Sequence, residues 1–278
     1  MDYFSSIFRA LRVQNLIILA VAQLVTAYFL GNPSLLIFTN FSLWGLIIST
    51  SFIAAGGYII NDYYDIKIDL VNHPDTVVIG SSLSRRQAII MHGMLNFTGI
   101  ALGASISLIL GAINLLAASL LWWYSNYLKQ IALVGNLAIS VLSFASIFMV
   151  SILFPERMTE IAIFAFFAGA ISAIREIIKD IEDQVGDKKF GCRTLPVVIG
   201  VRKTKLVLAV LIVAFSSSYL ILSYAYFQQW VYFLVILIPF LLILLKKLMD
   251  ADTKRDFRRL SGFCKLIMLV GIGLMVLV

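Results

Sequence analysis

Two groups of three aspartates share one spacing in a chain that is otherwise strongly apolar. The first group lies in "INDYYDIKIDL", residues 60–70, and the second in "KDIEDQVGD", residues 179–187. The six residues are Asp62, Asp65, Asp69, Asp180, Asp183 and Asp187. Positions i, i+3 and i+7 lie on one face of an α-helix, so each group presents three carboxylates to the same side of its helix.

Six carboxylates in such a chain need a partner, and divalent cations suit them best. Solvated like charges on one helix face repel by a few tenths of a kcal/mol per pair, and a carboxylate at the centre of a bilayer costs about 2.5–3.5 kcal/mol. The nearby Lys67 lies off the face of its neighbouring aspartates. Mg²⁺ prefers carboxylate oxygens and substrate phosphates, so two facing groups could hold Mg²⁺ ions and a diphosphate with an apolar tail.

The composition places these groups in a membrane protein. The 278 residues are 61% hydrophobic and 13% charged, with a mean hydropathy of +0.97, whereas about a quarter of the residues in a soluble domain are charged. We expect one polytopic domain, residues 1–278, whose first helix is not a cleaved signal. Cys192 and Cys264 are far apart in sequence, which argues against a disulfide framework or a cysteine metal site.

Apolar runs of the length that crosses a bilayer, about 20 residues, predict an all-α bundle of nine transmembrane helices. The runs are 13–31, 41–60, 88–111, 113–127, 131–153, 159–178, 204–226, 229–246 and 260–278. Turn-like or polar breaks separate several of them, at 31–34, 111–114, 154–157 and 226–229. The fourth run is short.

The distribution of Lys and Arg predicts the orientation of the bundle. With a cytoplasmic N-terminus and alternating spans, every one of the 22 basic residues except Arg157 falls on the cytoplasmic side. This arrangement puts the C-terminus on the outer side of the inner (plasma) membrane. It also puts both aspartate groups at cytoplasmic helix ends, so we expect the active site to open there. The positive charge is mainly a topology signal, and nucleic-acid binding is not expected.

At these residues the sequence resembles the UbiA superfamily of intramembrane prenyltransferases. The first family motif, N-D-x-x-D-x-x-x-D, is matched by Asn61 and the first three aspartates, and the second, D-x-x-D-x-x-x-D, by the other three. Three further stretches are similar to the family: "LRVQN" at 11–15, "YSNYLKQIALVGN" at 124–136 and "GCRTLPVVIG" at 191–200. The resemblance therefore covers nearly the whole chain.

The resemblance implies a Mg²⁺-dependent enzyme, a prenyltransferase. Asn61 and the six aspartates would bind the metal, and a polyprenyl diphosphate would ionise at its allylic carbon before an acceptor captures the cation. By position, the diphosphate would be bound by Asn15, Asn61, Tyr124, Lys129, Arg85 and Arg86. The prenyl tail would lie in a cavity open to the lipid bilayer, and no obligate protein partner is evident.

The segment after the first motif departs from the family pattern. Many relatives carry two arginines there, but residues 72–82 read "NHPDTVVIGSS", with His73 and Thr76 in their places. Arg85 and Arg86 follow shortly and could supply the missing charge. Asp75 is interpreted as a turn residue rather than an additional ligand.

Two classes of prenyl acceptor are compatible with the sequence. The stretch "REIIKDIEDQVGDKKFGCRTLPV", residues 175–197, is most similar to the ether-lipid branch of the family, which transfers a geranylgeranyl group to geranylgeranylglyceryl phosphate. An aromatic quinone precursor, of the 4-hydroxybenzoate or dihydroxynaphthoate type, is the alternative acceptor. A membrane transporter that uses the acidic residues is the alternative of another class, but transporter acids usually lie near the bilayer midplane.

Overall fold

The structure, a computed structural model, describes residues 3–228 and 230–277, and helices dominate this part of the chain. The α-helices are α1 (Tyr3–Ala10), α2 (Val13–Val25), α3 (Phe41–Asn72), α4 (Arg85–Ile106), α5 (Leu108–Asn126), α6 (Val134–Phe148), α7 (Met158–Lys189), α8 (Leu195–Ile199), α9 (Val201–Tyr226), α10 (Trp230–Asp250) and α11 (Lys254–Leu274). A π-helical turn, Thr26–Gly31, continues α2. Short 3₁₀ turns lie at Leu35–Thr39, Pro74–Thr76, Leu128–Gln130, Met149–Ile152, Pro155–Arg157 and Met275–Leu277. The described residues form no β-sheet, which confirms the all-α prediction.

Within the described residues, eight helical segments are long and apolar enough to cross a membrane. They are Val13–Gly31, Phe41–Asn72, Arg85–Ile106, Leu108–Asn126, Val134–Ile152, Pro155–Lys189, Val201–Tyr226 and Lys254–Leu277. They match eight of the nine predicted spans. The ninth, 229–246, falls on α10, although residue 229, like residue 278 at the end of the last predicted span, lies outside the described part.

The break predicted at residues 111–114 is wrong, because the chain turns earlier. Helix α4 ends at Ile106, and Ser107 adopts an extended conformation with φ −156° and ψ 135°. The Ser107 hydroxyl accepts a hydrogen bond from the amide of Ile109, at 3.2 Å, and so caps the start of α5. Residues 111–114 lie inside α5.

Gly111 and Asn114, which suggested a turn, serve helix packing instead. A Cβ atom on Gly111 would lie 2.6 Å from the Cβ of Ala104 on α4, so the glycine permits a close approach of the two helices. The buried Asn114 amide donates a hydrogen bond to the carbonyl oxygen of Gly99, at 3.0 Å. Polar and small residues therefore mark a helix–helix contact here, as they often do in membranes.

The chain divides into two compact units, the first of which contains the described residues up to 24 together with 34–129. Helix α3 packs against both α4 and α5 in this unit. The Asn40 side chain caps the start of α3, and a capping box between Ser84 and Gln87 starts α4. Gly57 lets the side chain of Leu121 approach α3, where an added Cβ would meet it at 2.8 Å.

The segment that follows α3 folds back onto that helix. Ile79 and Leu83 are buried beside Ile59 of α3 and Ala88 of α4. Gly80, at φ +93°, makes the turn between them, a conformation that favours glycine. The apolar contacts hold this segment next to the first aspartate group.

The second unit contains residues 25–33 and the described residues from 130 onward. Helix α7 is its centre and packs against α6, α9 and α11. On the α6 side the Ser140 hydroxyl donates to the carbonyl of Gly169 at 2.9 Å. On the α9 side Phe167 packs against Phe215 and Tyr219.

Candidate active site

The first aspartate group lies on one face of a single continuous helix. Helix α3 runs without interruption from Phe41 to Asn72, because the first proline after the motif is Pro74 and His73 leaves the helical conformation at φ −144°. At 100° per residue, the three carboxylates of this group fall within an arc of about 60°. The predicted side-by-side arrangement is therefore present in this unit.

Asp62 forms an ion pair with Arg12, at 2.7 Å. Arg12 joins α1 to α2 in a left-handed conformation at φ 50°, and its guanidinium also lies 5.1 Å from the ring centre of Tyr58. Burial lowers the pKa of Arg12, but the neighbouring Asp62 carboxylate, together with Tyr58 and Asp69, raises that pKa above its usual range, so the guanidinium stays charged. The stretch "LRVQN" was noted for its similarity to the family, but the sequence analysis assigned Arg12 no role in the site.

Asp65 is held by two partners that the sequence analysis had named. Lys129, in the turn Leu128–Gln130, forms an ion pair and a hydrogen bond with one Asp65 oxygen. The Asn61 amide donates to the other oxygen at 2.9 Å. Both the Lys129 and Asp65 side chains are largely buried, at 12% and 15% exposure, so this charge pair is shielded from water.

The remaining predicted diphosphate ligands of the first unit lie on α2, α4 and α5. Arg85, at the start of α4, lies over the ring of Tyr63, at 5.8 Å, and so contacts the motif helix. Arg86 is exposed. Asn15 and Tyr124 are half-buried, the first at the beginning of α2 and the second near the end of α5.

The loop that departs from the family pattern begins with a short turn. The amide of His73 donates to the carbonyl of Asp69 at 2.7 Å, which closes the last turn of α3. Asp75 is exposed within the 3₁₀ turn Pro74–Thr76, in agreement with its interpretation as a turn residue. The side chain of Thr76 lies outside the described part of the structure.

The second aspartate group also lies on one face of one helix, within the second unit. Helix α7 continues to Lys189, past Asp187. The amide of Asn136, at the start of α6, donates to Asp180 at 2.8 Å. The Thr194 hydroxyl donates to Asp187 at 3.0 Å, and both of these residues are buried. Asp183 is half-buried on the same face.

The loop after α7 is tied back to that helix and to the turn before α6. Gly191, at φ +76°, reverses the chain. The amide of Cys192 then donates to the carbonyl of Asp187 at 2.9 Å, and the amide of Arg193 donates to the carbonyl of Gln130 at 2.8 Å. These bonds place Thr194 beside Asp187, which gives a physical reason for the stretch "GCRT" that carried the resemblance.

Two further carboxylates of α7 are buried in ion pairs, and the sequence analysis assigned them no role. Glu176 contacts Arg175 at 2.7 Å and Lys179 at 3.1 Å. Glu182 accepts from the Nε of Arg258, on α11, at 2.8 Å. The sequence provides only a weak indication that these two glutamates form buried ion pairs, since a charged helix end next to a membrane explains their presence equally well.

Comparisons with known proteins show the family to which the chain belongs. The model of the UbiA prenyltransferase family matches residues 15–268. A digeranylgeranylglyceryl phosphate synthase of Methanosphaera stadtmanae is 33% identical over 79% of this chain and 81% of its own length. The chain belongs to the UbiA prenyltransferase family, which confirms the resemblance and the class of enzyme, and favours the enzyme over the transporter. It is an integral membrane protein.

Solved structures show the same fold. A structure described as a digeranylgeranylglyceryl phosphate synthase in membranes superposes with a TM-score of 0.75 at 22% identity, over 100% of this chain and 98% of the other. A UbiA homologue from Archaeoglobus fulgidus, bound to GPP and Mg²⁺, gives a TM-score of 0.68 at 17% identity, over 98% of this chain and 100% of the other. The arrangement of helices is therefore that of UbiA.

Proposed function

We propose that this chain is a Mg²⁺-dependent enzyme that transfers a geranylgeranyl group from its diphosphate to geranylgeranylglyceryl phosphate. The observation that carries the proposal is the pair of aspartate motifs, each on one face of an uninterrupted helix. In the reaction the bond between the allylic carbon and the diphosphate oxygen breaks, and the electron pair leaves with diphosphate. The acceptor hydroxyl then forms the ether bond and loses its proton.

The donor atoms of both motifs fit Mg²⁺. The motifs offer carboxylate oxygens, with the amide of Asn61 in addition, and contain no sulfur or imidazole, which is the ligand chemistry of a hard divalent ion. Asn136 and Thr194 orient Asp180 and Asp187 by donating hydrogen bonds, as outer partners of metal ligands commonly do. When bound, Mg²⁺ would neutralise the charge that develops on the departing diphosphate. The Mg²⁺ in the Archaeoglobus fulgidus homologue supports this assignment.

The basic residues of the first unit would bind and orient the diphosphate. Lys129 is the best placed, because it already contacts a motif carboxylate in a position with little solvent. Arg85 contacts the motif helix through Tyr63, and Arg86 follows it at the exposed start of α4. Asn15 and Tyr124 would contribute polar contacts. Arg12 would stabilise the charge of the Asp62 carboxylate in its apolar surroundings.

The identity of the acceptor rests on the relatives. The Methanosphaera stadtmanae relative carries the name of an ether-lipid synthase, and this supports a lipid alcohol with a phosphate group. An aromatic quinone precursor remains the second candidate acceptor, because the motifs activate the donor and are compatible with either nucleophile.

We infer a single domain, residues 1–278, with nine transmembrane helices. The match of one family model to residues 15–268 supports the single domain. The ninth span would be α10, whose 21 residues extend about 31 Å, the thickness of a hydrocarbon core. The distribution of basic residues supports a cytoplasmic N-terminus, an outer C-terminus and a site that opens to the cytoplasm of a plasma membrane.

The test is a prenyl-transfer assay on the purified protein in detergent. Labelled geranylgeranyl diphosphate and Mg²⁺ would be combined separately with geranylgeranylglyceryl phosphate, 4-hydroxybenzoate and 1,4-dihydroxy-2-naphthoate, and products followed by mass spectrometry. Prenylation of the glyceryl phosphate alone is expected. Prenylation of an aromatic acid instead would overturn the acceptor and retain the mechanism, and activity that persists in EDTA would overturn the metal dependence.

A further inference from the structure

A groove at the start of α11 concentrates positive charge outside the two motifs. Its volume is about 620 Å³, and its lining is formed by Lys254, Arg255, Arg258 and Arg259. The acid within this stretch, Asp256, is already engaged, because it accepts hydrogen bonds from the amide and hydroxyl of Thr253, at 3.0 and 2.7 Å. The four basic side chains outnumber this single acid, which interacts with Arg259, so the groove carries an excess of positive charge.

This basic groove is connected to the second aspartate motif within the same unit. Arg258 bonds to Glu182 at 2.8 Å, and a carboxylate oxygen of Glu182 lies within 4.8 Å of one of Asp183. Glu182 is buried, whereas Arg258 is 59% exposed. A ligand that contacts Arg258 in the groove would consequently be linked through Glu182 to the neighbourhood of Asp183.

The groove lies where the headgroup of a membrane lipid would be found. Helix α11 is apolar enough to span a membrane, and the groove is at its first residue, Lys254. Arginine binds phosphate oxygens through paired N–H donors, and clustered basic residues next to a span attract anionic lipids. The bias of basic residues toward the cytoplasm explains why the groove is positive. It does not explain why four basic residues surround one groove, or why one of them, Arg258, bonds to Glu182 on the motif helix.

We propose that this groove binds the phosphate group of the acceptor lipid, an assignment that rests on the proposed function. A glyceryl phosphate acceptor carries a doubly negative phosphomonoester that takes no part in forming the ether bond. Arg255 and Arg259 would contact the phosphate oxygens, while Arg258 links the groove to Glu182. The groove would thus select a phosphorylated lipid alcohol over an uncharged one.

Direct binding tests the groove independently of turnover. The protein in phosphatidylcholine nanodiscs would be titrated with geranylgeranylglyceryl phosphate and with its dephosphorylated form, geranylgeranylglycerol, by native mass spectrometry. Tight binding of the phosphorylated lipid is expected, and Arg255→Gln/Arg259→Gln should weaken it about tenfold or more with no effect on geranylgeranylglycerol. Arg202→Gln/Lys203→Gln, which removes the same charge from exposed positions on α9, is the matched control and should bind like the parent.

Each other outcome has a defined meaning. Unchanged affinity in Arg255→Gln/Arg259→Gln, or an equal loss in the control, would overturn the proposal. Equal competition by phosphatidic acid would reassign the groove to membrane headgroups in general, and competition by inorganic phosphate at similar concentrations would reassign it to free phosphate. Groove-dependent binding without any transfer to this lipid would refute the proposed function and leave the phosphate site standing.

Discussion

At the scale of single residues, several motif carboxylates already have a hydrogen-bond partner. Arg12 pairs with Asp62, Lys129 with Asp65, and Asn136 with Asp180. A buried carboxylate without a partner costs several kcal/mol, so each of these partners stabilises the carboxylate that it contacts. Their cost of burial is thus partly offset by the chain itself.

Replacing one carboxylate in either motif should stop catalysis without unfolding the protein. Asp65→Ala and Asp183→Ala each remove a proposed metal ligand from a helix that is held by other contacts, so we expect kcat to fall by at least about a hundredfold. Steady-state rates and circular dichroism would be measured together. Asp75→Ala, in the exposed turn after the motif, is the control and should retain activity. Substantial turnover by Asp65→Ala in Mg²⁺ would disprove the role of the first motif.

Thr194 should matter for Mg²⁺ affinity because it positions Asp187. Thr194→Val keeps the shape of the side chain but removes the donor that bonds to Asp187, so the Mg²⁺ concentration for half-maximal activity should rise about 10–100-fold. Thr194→Ser keeps the hydroxyl and should restore the parent value. A purely structural role would instead lower thermal stability in Thr194→Val and leave the Mg²⁺ titration unchanged.

At the scale of helices, the sequence correctly predicted that the elements are helices. It misplaced the boundary between α4 and α5. Hydropathy located the eight helical segments that are long and apolar enough to cross a membrane, because the energetic requirement of the bilayer acts on whole segments. It failed between α4 and α5, where a single residue, Ser107, makes the turn and no polar stretch marks it. Gly111 and Asn114 led to the wrong prediction of a break at 111–114, because the residue types that favour turns also favour close helix contacts.

Helix packing in the first unit can be tested with two glycines of the same helix. Gly99→Ala would place a Cβ 2.9 Å from the backbone oxygen of Ser49, which cannot move easily, so we expect destabilisation of about 1–3 kcal/mol. Gly93→Ala has open space around it and should be neutral or stabilising, by up to about 1 kcal/mol, because alanine favours helix. Unfolding midpoints in detergent would be compared. Equal midpoints for the two variants would show that this contact is looser than described.

At the scale of the whole chain, the motifs and their metal chemistry could be inferred from spacing, whereas their partners could not. The i, i+3, i+7 pattern fixes which carboxylates share a face of α3 or α7. Contacts such as Arg12 with Asp62 and Arg258 with Glu182 join residues 50 and 76 positions apart, and no local pattern encodes them. Lys129 and Asn136 were noticed only through resemblance to relatives.

The proposed orientation can be tested by labelling introduced cysteines in intact cells. Both native cysteines are buried, so a membrane-impermeant maleimide should give little background. Glu156→Cys, in the exposed turn before α7, should be labelled from outside. Lys246→Cys, exposed near the end of α10, should be labelled only after the cells are opened. The reverse pattern would invert the topology, and labelling of both positions from outside would argue against α10 as a span.

The one-residue turn at Ser107 has a consequence for biogenesis. Helices α4 and α5 leave no loop between them that could extend into water or emerge separately from the insertion machinery. They should therefore enter the bilayer together as a helical hairpin, with the contact between Gly111 and Ala104 formed during synthesis. A ribosome paused after α4 alone would hold a segment whose insertion is incomplete, whereas a pause after α5 would hold an integrated pair.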